Sequence, residues 1–422
     1  MTSITRRGLL KSGGVAAAAA TLPLFNVRRA FGAGQPITLG VVTPLSGPVQ
    51  LIGNAAKTGI DITIEALNAA GGIDGREVRV EYRDEKANPN DATIAARELT
   101  GMGVNLQLGV MSSAVALAMG PLMEGENGIM ITSGAGTEKL NHENFNPHVF
   151  RVGDTPYSRQ NGMLMHIART QPDVVKWGGI IPDHEYGRTT WAVFVDGMLT
   201  HFEKITGKKP EIADPILVPY GSGDYKTFIA QASRLGVDGM FCSVYGGDAV
   251  TLYQQAKPFG LFDRTKVLLD TSNEFLVASA MGNQVPKKWT GFHWYYKANE
   301  GNPISDNLYK RYVEITGSQY PLGWAAEAQA GVLAYAAAIQ KAGTTDTAEI
   351  IKALKGLTFD SATGPRTIRA EDNQGIKNAE LAFIEPSSTE KSGFAVTDYI
   401  SVNGADVIEP PSPGEKLALK TL

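Results

Sequence analysis

One cysteine, Cys242, stands among 422 residues. No intrachain disulfide can form, and a cysteine-based zinc site is excluded. Cys242 lies in the apolar run 239–244, which predicts a buried, inert thiol. No apolar stretch reaches the ~20 residues that a membrane span requires. Positive charge is scarce as well. The formal charge is −4, and residues 1–33 carry five basic residues and no acidic one, so their removal takes it to −9. Such a surface gives no support for nucleic-acid binding. Enzyme signatures are missing too. Gly134-Ala135-Gly136-Thr137 lacks the third glycine of a dinucleotide loop, no Gly-x-Ser-x-Gly turn occurs, and His142, Glu143 and His148 miss metal-protease spacing. No catalytic residue, cofactor or metal is expected.

The chain begins with an export pattern. Thr5-Arg6-Arg7-Gly8-Leu9-Leu10-Lys11 is a twin-arginine motif, an alanine-rich segment follows over 13–21, and Ala30, Gly32 and Ala33 offer small residues for cleavage. Residues 1–33 are therefore read as a twin-arginine signal peptide, and the mature protein as periplasmic. With 43% hydrophobic residues over this length, two lobes rather than one core are expected.

Strand-like and helix-like segments alternate along most of the remainder. Ile37–Thr43 is a continuous apolar run, and a helix-spaced segment follows over 53–70 until Gly71-Gly72 ends it. Val78, Val80 and Tyr82 alternate as a strand, 90–102 reads as a helix, and 106–111 as the next strand. After Arg151-Val152-Gly153-Asp154 the pattern restarts with a helix over 157–170 and strands over 177–181, 216–218, 239–244 and 267–270. The fold class is α/β, with parallel central sheets and helices on both faces. The segment 379–385 is read as the final strand, Trp324 as core, and the tail over 401–422 as irregular.

Two tandem strand-to-helix turns draw the eye. The first runs through Ser112 and Ser113, the second through Thr132-Ser133-Gly134-Ala135-Gly136-Thr137. In a parallel sheet such turns lie together at the carboxyl ends of the strands, where hydroxyls and backbone N–H groups suit a polar ligand head. Small residues also simply make tight turns. Tyr157, Tyr186 and Tyr245 fall at turns and suit an apolar ligand body, although each also fits ordinary packing.

Several blocks together resemble a known family. They are Leu39-Gly40-Val41-Val42-Thr43-Pro44-Leu45-Ser46-Gly47-Pro48, then Leu67-Asn68-Ala69-Ala70-Gly71-Gly72-Ile73-Asp74-Gly75-Arg76 with Asp84 beyond it. Ser112-Ser113, Ser133–Thr137 and Asp183-His184-Glu185-Tyr186-Gly187 continue the order. The chain is similar over about 36–385 to the type I periplasmic substrate-binding proteins of ABC importers, in the leucine/isoleucine/valine-binding branch. The resemblance implies two Rossmann-like lobes joined by three crossovers, with ligand held between them by hinge closure. The expected N-terminal lobe is 36–154 plus 298–361, and the C-terminal lobe 155–297 plus 362–400.

The resemblance also implies a site, with Ser113, Ala135, Gly136 and Thr137 holding a head group on the first lobe and Tyr186 and Tyr245 contributing from the second; Ser112 and Tyr157 join the candidates by their place at turns. Amino-acid binders of the family often carry a glutamate after the strand that here ends at Asp270, and Thr271 occupies that place. Asp248 either supplies the missing charge for a ligand ammonium or caps the helix behind it. The implied role is capture of a small amino-acid-like, amide or aromatic-acid ligand and delivery to an ABC permease and ATPase, by a monomer. A sensor of the same fold feeding a signalling receptor is one rival reading, and a secreted enzyme another.

Overall fold

The computed structural model describes residues 34–422 except Pro48 and Ser272. The signal-peptide reading of 1–33 lies outside the described residues. The first lobe opens with β1 (Ile37–Thr43), α1 (Gln50–Ala69), β2 (Val78–Asp84), α2 (Pro89–Gly101), β3 (Leu106–Val110), α3 (Ser113–Gly125), β4 (Ile129–Thr132) and β5 (Val149–Arg151). These strands form one parallel sheet in the order β2-β1-β3-β4-β5. All five residues of β3 and all four of β4 are buried, as expected of strands covered on both faces. The order reverses between β1 and β3, which makes the ends of these two strands the switch point where ligands bind.

The chain enters the second lobe at Thr155. Its hydroxyl accepts from Ser158 N–H and the Ser158 hydroxyl accepts from Thr155 N–H, a reciprocal cap that starts α4 (Pro156–Thr170) with proline in its first turn. Next come β6 (Lys176–Pro182), α5 (Glu185–Gly197), a π-turn over Met198–Phe202 and α6 (Glu203–Thr206). After β7 (Glu211–Ile212) follow β8 (Ile216–Val218), α7 (Lys226–Ser233), β9 (Gly239–Cys242), α8 (Gly246–Ala256), β10 (Val267–Asp270), α9 (Leu276–Met281) and β11 (Lys288–Phe292). The chain then returns to the first lobe through α10 (Pro303–Thr316), a helix the sequence reading leaves out, and α11 (Trp324–Ala342), which lies on α1. Their backbones approach closely: a Cβ on Gly59 would stand 2.0 Å from the Ala325 carbonyl oxygen. Next is α12 (Thr347–Leu354).

The third crossover corrects the expected lobe boundary. The sequence reading hands the chain to the second lobe at 362. Instead β12 (Thr358–Ser361), β13 (Gly364–Ile368) and β14 (Gly375–Ile376) form a small antiparallel sheet, and Phe359, Ala362 and Ile368 join the first-lobe core. Arg151 N–H donates to the Asn373 carbonyl at 3.1 Å and the Gln374 amide donates to the Gly153 carbonyl at 2.8 Å, so this segment is fastened to the edge of β5. The chain crosses only at about Lys377, into β15 (Ala379–Pro386). That strand is not the last: β16 (Phe394–Val402) pairs antiparallel with it, and the second sheet runs β16-β15-β11-β10-β9-β6-β7 with β8 beside β6.

The tail is structured, against expectation. After α13 (Gly404–Val407), Glu409 and Leu417 are buried, Gly414 N–H donates to the His142 carbonyl at 2.7 Å, and Lys420 N–H donates to Asp196 at 2.8 Å. The prolines at 410, 411 and 413 rule out regular secondary structure there, but specific contacts with both lobes replace it.

Candidate functional site

The carboxyl ends of both sheets face one cavity of about 260 Å³ between the lobes. From the first lobe its walls include Ile52, Ser112, Ser113, Ser133, Ala135, Gly136 and Trp324. From the second they include His184, Tyr186, Tyr220, Tyr245 and His293, with Arg151, Asp154 and Arg159 at the first crossover.

The polar floor belongs to the two tandem turns. Ser112 precedes α3 without capping it through its side chain, and no acidic residue stands in the first turn, so the positive end of this helix is left to a ligand. The Ser113 hydroxyl accepts from Thr137 N–H at 3.1 Å, which leaves its own proton to donate. Thr132 holds the second turn, donating to the Val110 carbonyl at 2.9 Å and accepting from Ala135 N–H at 3.1 Å. The hydroxyl of Ser133 is buried and has no hydrogen-bond partner among the described residues.

Aromatic rings build the opposite wall. Tyr186 and Tyr245 meet edge to face with centroids 5.2 Å apart, and His184 meets both Tyr245 and Tyr220 edge-on at 5.8 and 5.5 Å. Burial, and then Arg188, depress the His184 pKa below the ordinary imidazole value. His293 packs against Trp324 at 4.7 Å and is held through Nδ1 by Glu274 Oε1 at 2.7 Å.

Charge at the crossover is arranged by burial. Arg159 donates to Asp154 from Nε at 2.9 Å and from Nη2 at 3.3 Å, and from Nη1 to the Thr271 carbonyl at 3.3 Å. A Cβ on Gly291 would stand 2.3 Å from Arg159 Cδ, so only glycine admits the guanidinium here. Desolvation pushes the Asp154 carboxyl up, but Arg159, Lys377 and His293 outweigh it and hold the group well below the usual carboxylate range. Behind this pair, Lys377 Nζ stands 3.2 Å from Glu327 Oε1, and Arg366 donates to both Glu327 oxygens.

Of the residues expected from sequence, Ser112, Ser113, Ala135, Gly136, Tyr186 and Tyr245 line the cavity together. The other four stand outside its lining. Thr137 is buried behind the floor, where its N–H serves Ser113 and its hydroxyl donates across the lobes to Glu185 at 3.3 Å. Tyr157 turns its backbone N–H to Glu138 Oε1 at 2.9 Å, and its ring is set among Asn161 and Asp196. Thr271 contributes only its carbonyl, to Arg159. Asp248 accepts from Gly221 N–H at 2.6 Å, so this carboxylate pins the loop before α7 instead of meeting an ammonium. Asp270 is equally spent, on Lys288 at 2.5 Å and on Asn273.

Sequence reasoning missed Arg151, Asp154, Arg159, Tyr220 and His293, and it placed Trp324 in the core. Arg151 and Asp154 looked like linker residues. Arg159 sits one turn inside an amphipathic helix, where a basic residue ordinarily faces water, and its partner Thr271 is remote in sequence. Trp324 packs with Val49, Ile52 and Ala55 and also faces the cavity, so both readings hold for one ring.

Known proteins share this architecture. The chain is 33% identical over 101 residues to the Leu/Ile/Val-binding protein homolog 3 of Brucella melitensis, a stretch covering 24% of this chain and 27% of that protein. It is 23% identical over 358 residues to the leucine-, isoleucine-, valine-, threonine- and alanine-binding protein of Pseudomonas aeruginosa, covering 84% of this chain and 90% of the other. The crystal structure of a solute binding protein of an ABC transporter from Rhodopseudomonas palustris BisB5, in complex with 3,4-dihydroxybenzoic acid, superimposes with a TM-score of 0.74. That match has 20% identity and covers 87% of this chain and 98% of the other. The family model for periplasmic binding proteins matches residues 36–390, across both lobes and all three crossovers, and the chain belongs to that family.

Proposed function

We propose that the protein captures a small carboxylate with an aromatic or other flat apolar body, closes its lobes over it, and delivers it unaltered to an ABC permease and its ATPase. One observation carries the choice of ligand. The cavity lining holds two guanidinium groups, Arg151 and Arg159, and a single acid, Asp154, whose oxygens Arg159 already occupies. An α-ammonium group would find no unspent carboxylate there, whereas a ligand carboxylate meets the Ser113 hydroxyl and the uncapped start of α3. The rings of Tyr186, Tyr245, Tyr220 and Trp324 then cover an apolar body. The related structure with 3,4-dihydroxybenzoic acid supports the same class of ligand.

Hinge closure is the mechanism this reading requires. Ligand touches both lobes only when the cleft is shut, so binding selects the shut form. Thr137 and Lys139 already reach Glu185 across the cleft, which supplies a latch between the lobes. The working form is a periplasmic monomer exported through the twin-arginine motif at Arg6-Arg7, and it performs no chemistry.

Isothermal titration with benzoate, 4-hydroxybenzoate, 3,4-dihydroxybenzoate, benzylamine, phenylalanine and leucine tests the ligand class. The expected result is binding of one or more of the benzoates and none of benzylamine. Tight leucine binding with no response to any benzoate overturns it.

A further inference from the structure

Outside the cavity lining, three polar side chains converge, each with one atom left without a hydrogen bond among the described residues. Glu138 and His142 come from the short turn after β4, and Glu409 comes from the C-terminal tail. All are buried: Glu138 is 5% exposed, His142 and Glu409 not at all. One ligand-capable atom of each lies within 4.8 Å of the others.

The arrangement is built rather than incidental. In every one of the three, one polar atom is already fixed by a neighbour. Tyr157 N–H donates to Glu138 Oε1 at 2.9 Å, the Thr155 hydroxyl donates to Glu409 Oε2 at 2.9 Å, and His142 Nδ1 bonds the Ser412 hydroxyl at 2.6 Å. The second atom of each, Glu138 Oε2, Glu409 Oε1 and His142 Nε2, has no hydrogen-bond partner among the described residues. Outer partners that orient a ligand while its inner atom stays unpaired are the pattern of a metal site. In the tautomer whose Nδ1–H donates to Ser412, the Nε2 lone pair is left to coordinate.

Arg151 does not satisfy the cluster. Its Nη1 stands 3.7 Å from Glu138 Oε2, beyond hydrogen-bond reach, and its Nη2 is spent on the Thr137 carbonyl.

We propose that Glu138, His142 and Glu409 form a site for a divalent first-row cation such as Zn²⁺, which fastens the C-terminal tail to the first lobe. One imidazole and two carboxylates are the donor set such an ion prefers over magnesium or calcium, and water completes the coordination. Bonds of about 2.0–2.2 Å require the donors to draw together by a shift on the order of 1 Å. Glu409 enters from the segment between α13 and the Lys420 contact, so the ion clasps a strap that touches both lobes.

The test uses the full protein without a polyhistidine tag, stripped with chelator, incubated with Zn²⁺ and desalted. The wild type is expected to retain about one Zn²⁺ per chain by elemental mass spectrometry. His142→Ala and Glu409→Gln should each reduce retention at least roughly tenfold while far-ultraviolet circular dichroism is unchanged. Absence of retained Zn²⁺ in the wild type, or retention in both variants equal to that of the wild type, overturns the proposal. If a variant does not fold, the wild type loaded with Co²⁺ decides: intense visible d–d bands of a low-coordinate ion support the site, and the weak spectrum of the aqua ion overturns it.

Discussion

Lys377 Nζ donates to the His293 carbonyl across 2.8 Å, which ties the second crossover to the third. The same ammonium stands 3.8 Å from Asp154, at the first crossover, and 3.2 Å from Glu327 on α11. All three connections between the lobes therefore meet around one buried cation. Removing it takes one of two cations from both Asp154 and Glu327, which keep Arg159 and Arg366, and the expected cost of Lys377→Met is about 1.5–3 kcal/mol of stability. Urea unfolding measures this, and a midpoint within error of the wild type would remove Lys377 from the hinge account.

Ser113 is the best placed donor on the cavity floor, because Thr137 N–H occupies its acceptor side and leaves its proton for the ligand. Ser113→Ala should weaken carboxylate binding by about 1–3 kcal/mol and, by leaving the buried Thr137 N–H without its acceptor, lower stability by a similar amount. Titration calorimetry of the variant checks it, and unchanged affinity would place the ligand head group elsewhere.

Tyr245 links the aromatic wall, touching the rings of Tyr186, His184 and Tyr220. Tyr245→Ala removes a ring and opens the wall to water, so affinity for 4-hydroxybenzoate should drop by roughly tenfold or more, while Tyr245→Phe should drop it far less. Equal losses in the two variants would assign the effect to the hydroxyl, which meets His184 Nε2 at 3.4 Å, instead of the ring.

Glu85 gives a pH dependence. It is fully buried and neither carboxylate oxygen has a hydrogen-bond partner among the described residues. Burial, and then the neighbouring Asp84, push its pKa from 4.5 up to about 8. The folded value exceeds the unfolded one, so the folded state binds the extra proton. Stability from this group is complete below about pH 4.5 and is lost as pH rises through about 8. Glu85→Gln, which keeps the neutral shape, should match the wild type at pH 5 and exceed it by a few kcal/mol at about pH 9 in urea unfolding. A constant difference at both pH values would contradict the assignment.

The fold was readable because its evidence is local. Buried parallel strands announce themselves as continuous apolar runs, as Ile37–Thr43 does, and Gly71-Gly72 stops α1 with both glycines at positive φ. The site floor was readable for the same reason, since Ser112–Ser113 and Ser133–Thr137 are contiguous. What failed depends on remote partners. Residues 364–376 carry no pattern that tells one lobe from the other, because their place is set by Asn373 and Gln374 reaching β5. The tail looks featureless because its anchors, Glu409 and Lys420, find their partners at Thr155 and Asp196. Asp248 sat at a plausible distance from the ligand turns, and only geometry shows it turned to Gly221.

Cys242 ends β9 in full burial, and burial, and then Asp270, raise its thiol pKa to about 12. A maleimide reagent therefore finds no competing nucleophilic sulfur in the folded chain. A cysteine introduced at Leu217, the middle residue of β8 and 42% exposed, would carry a single fluorophore without any background labelling to engineer away.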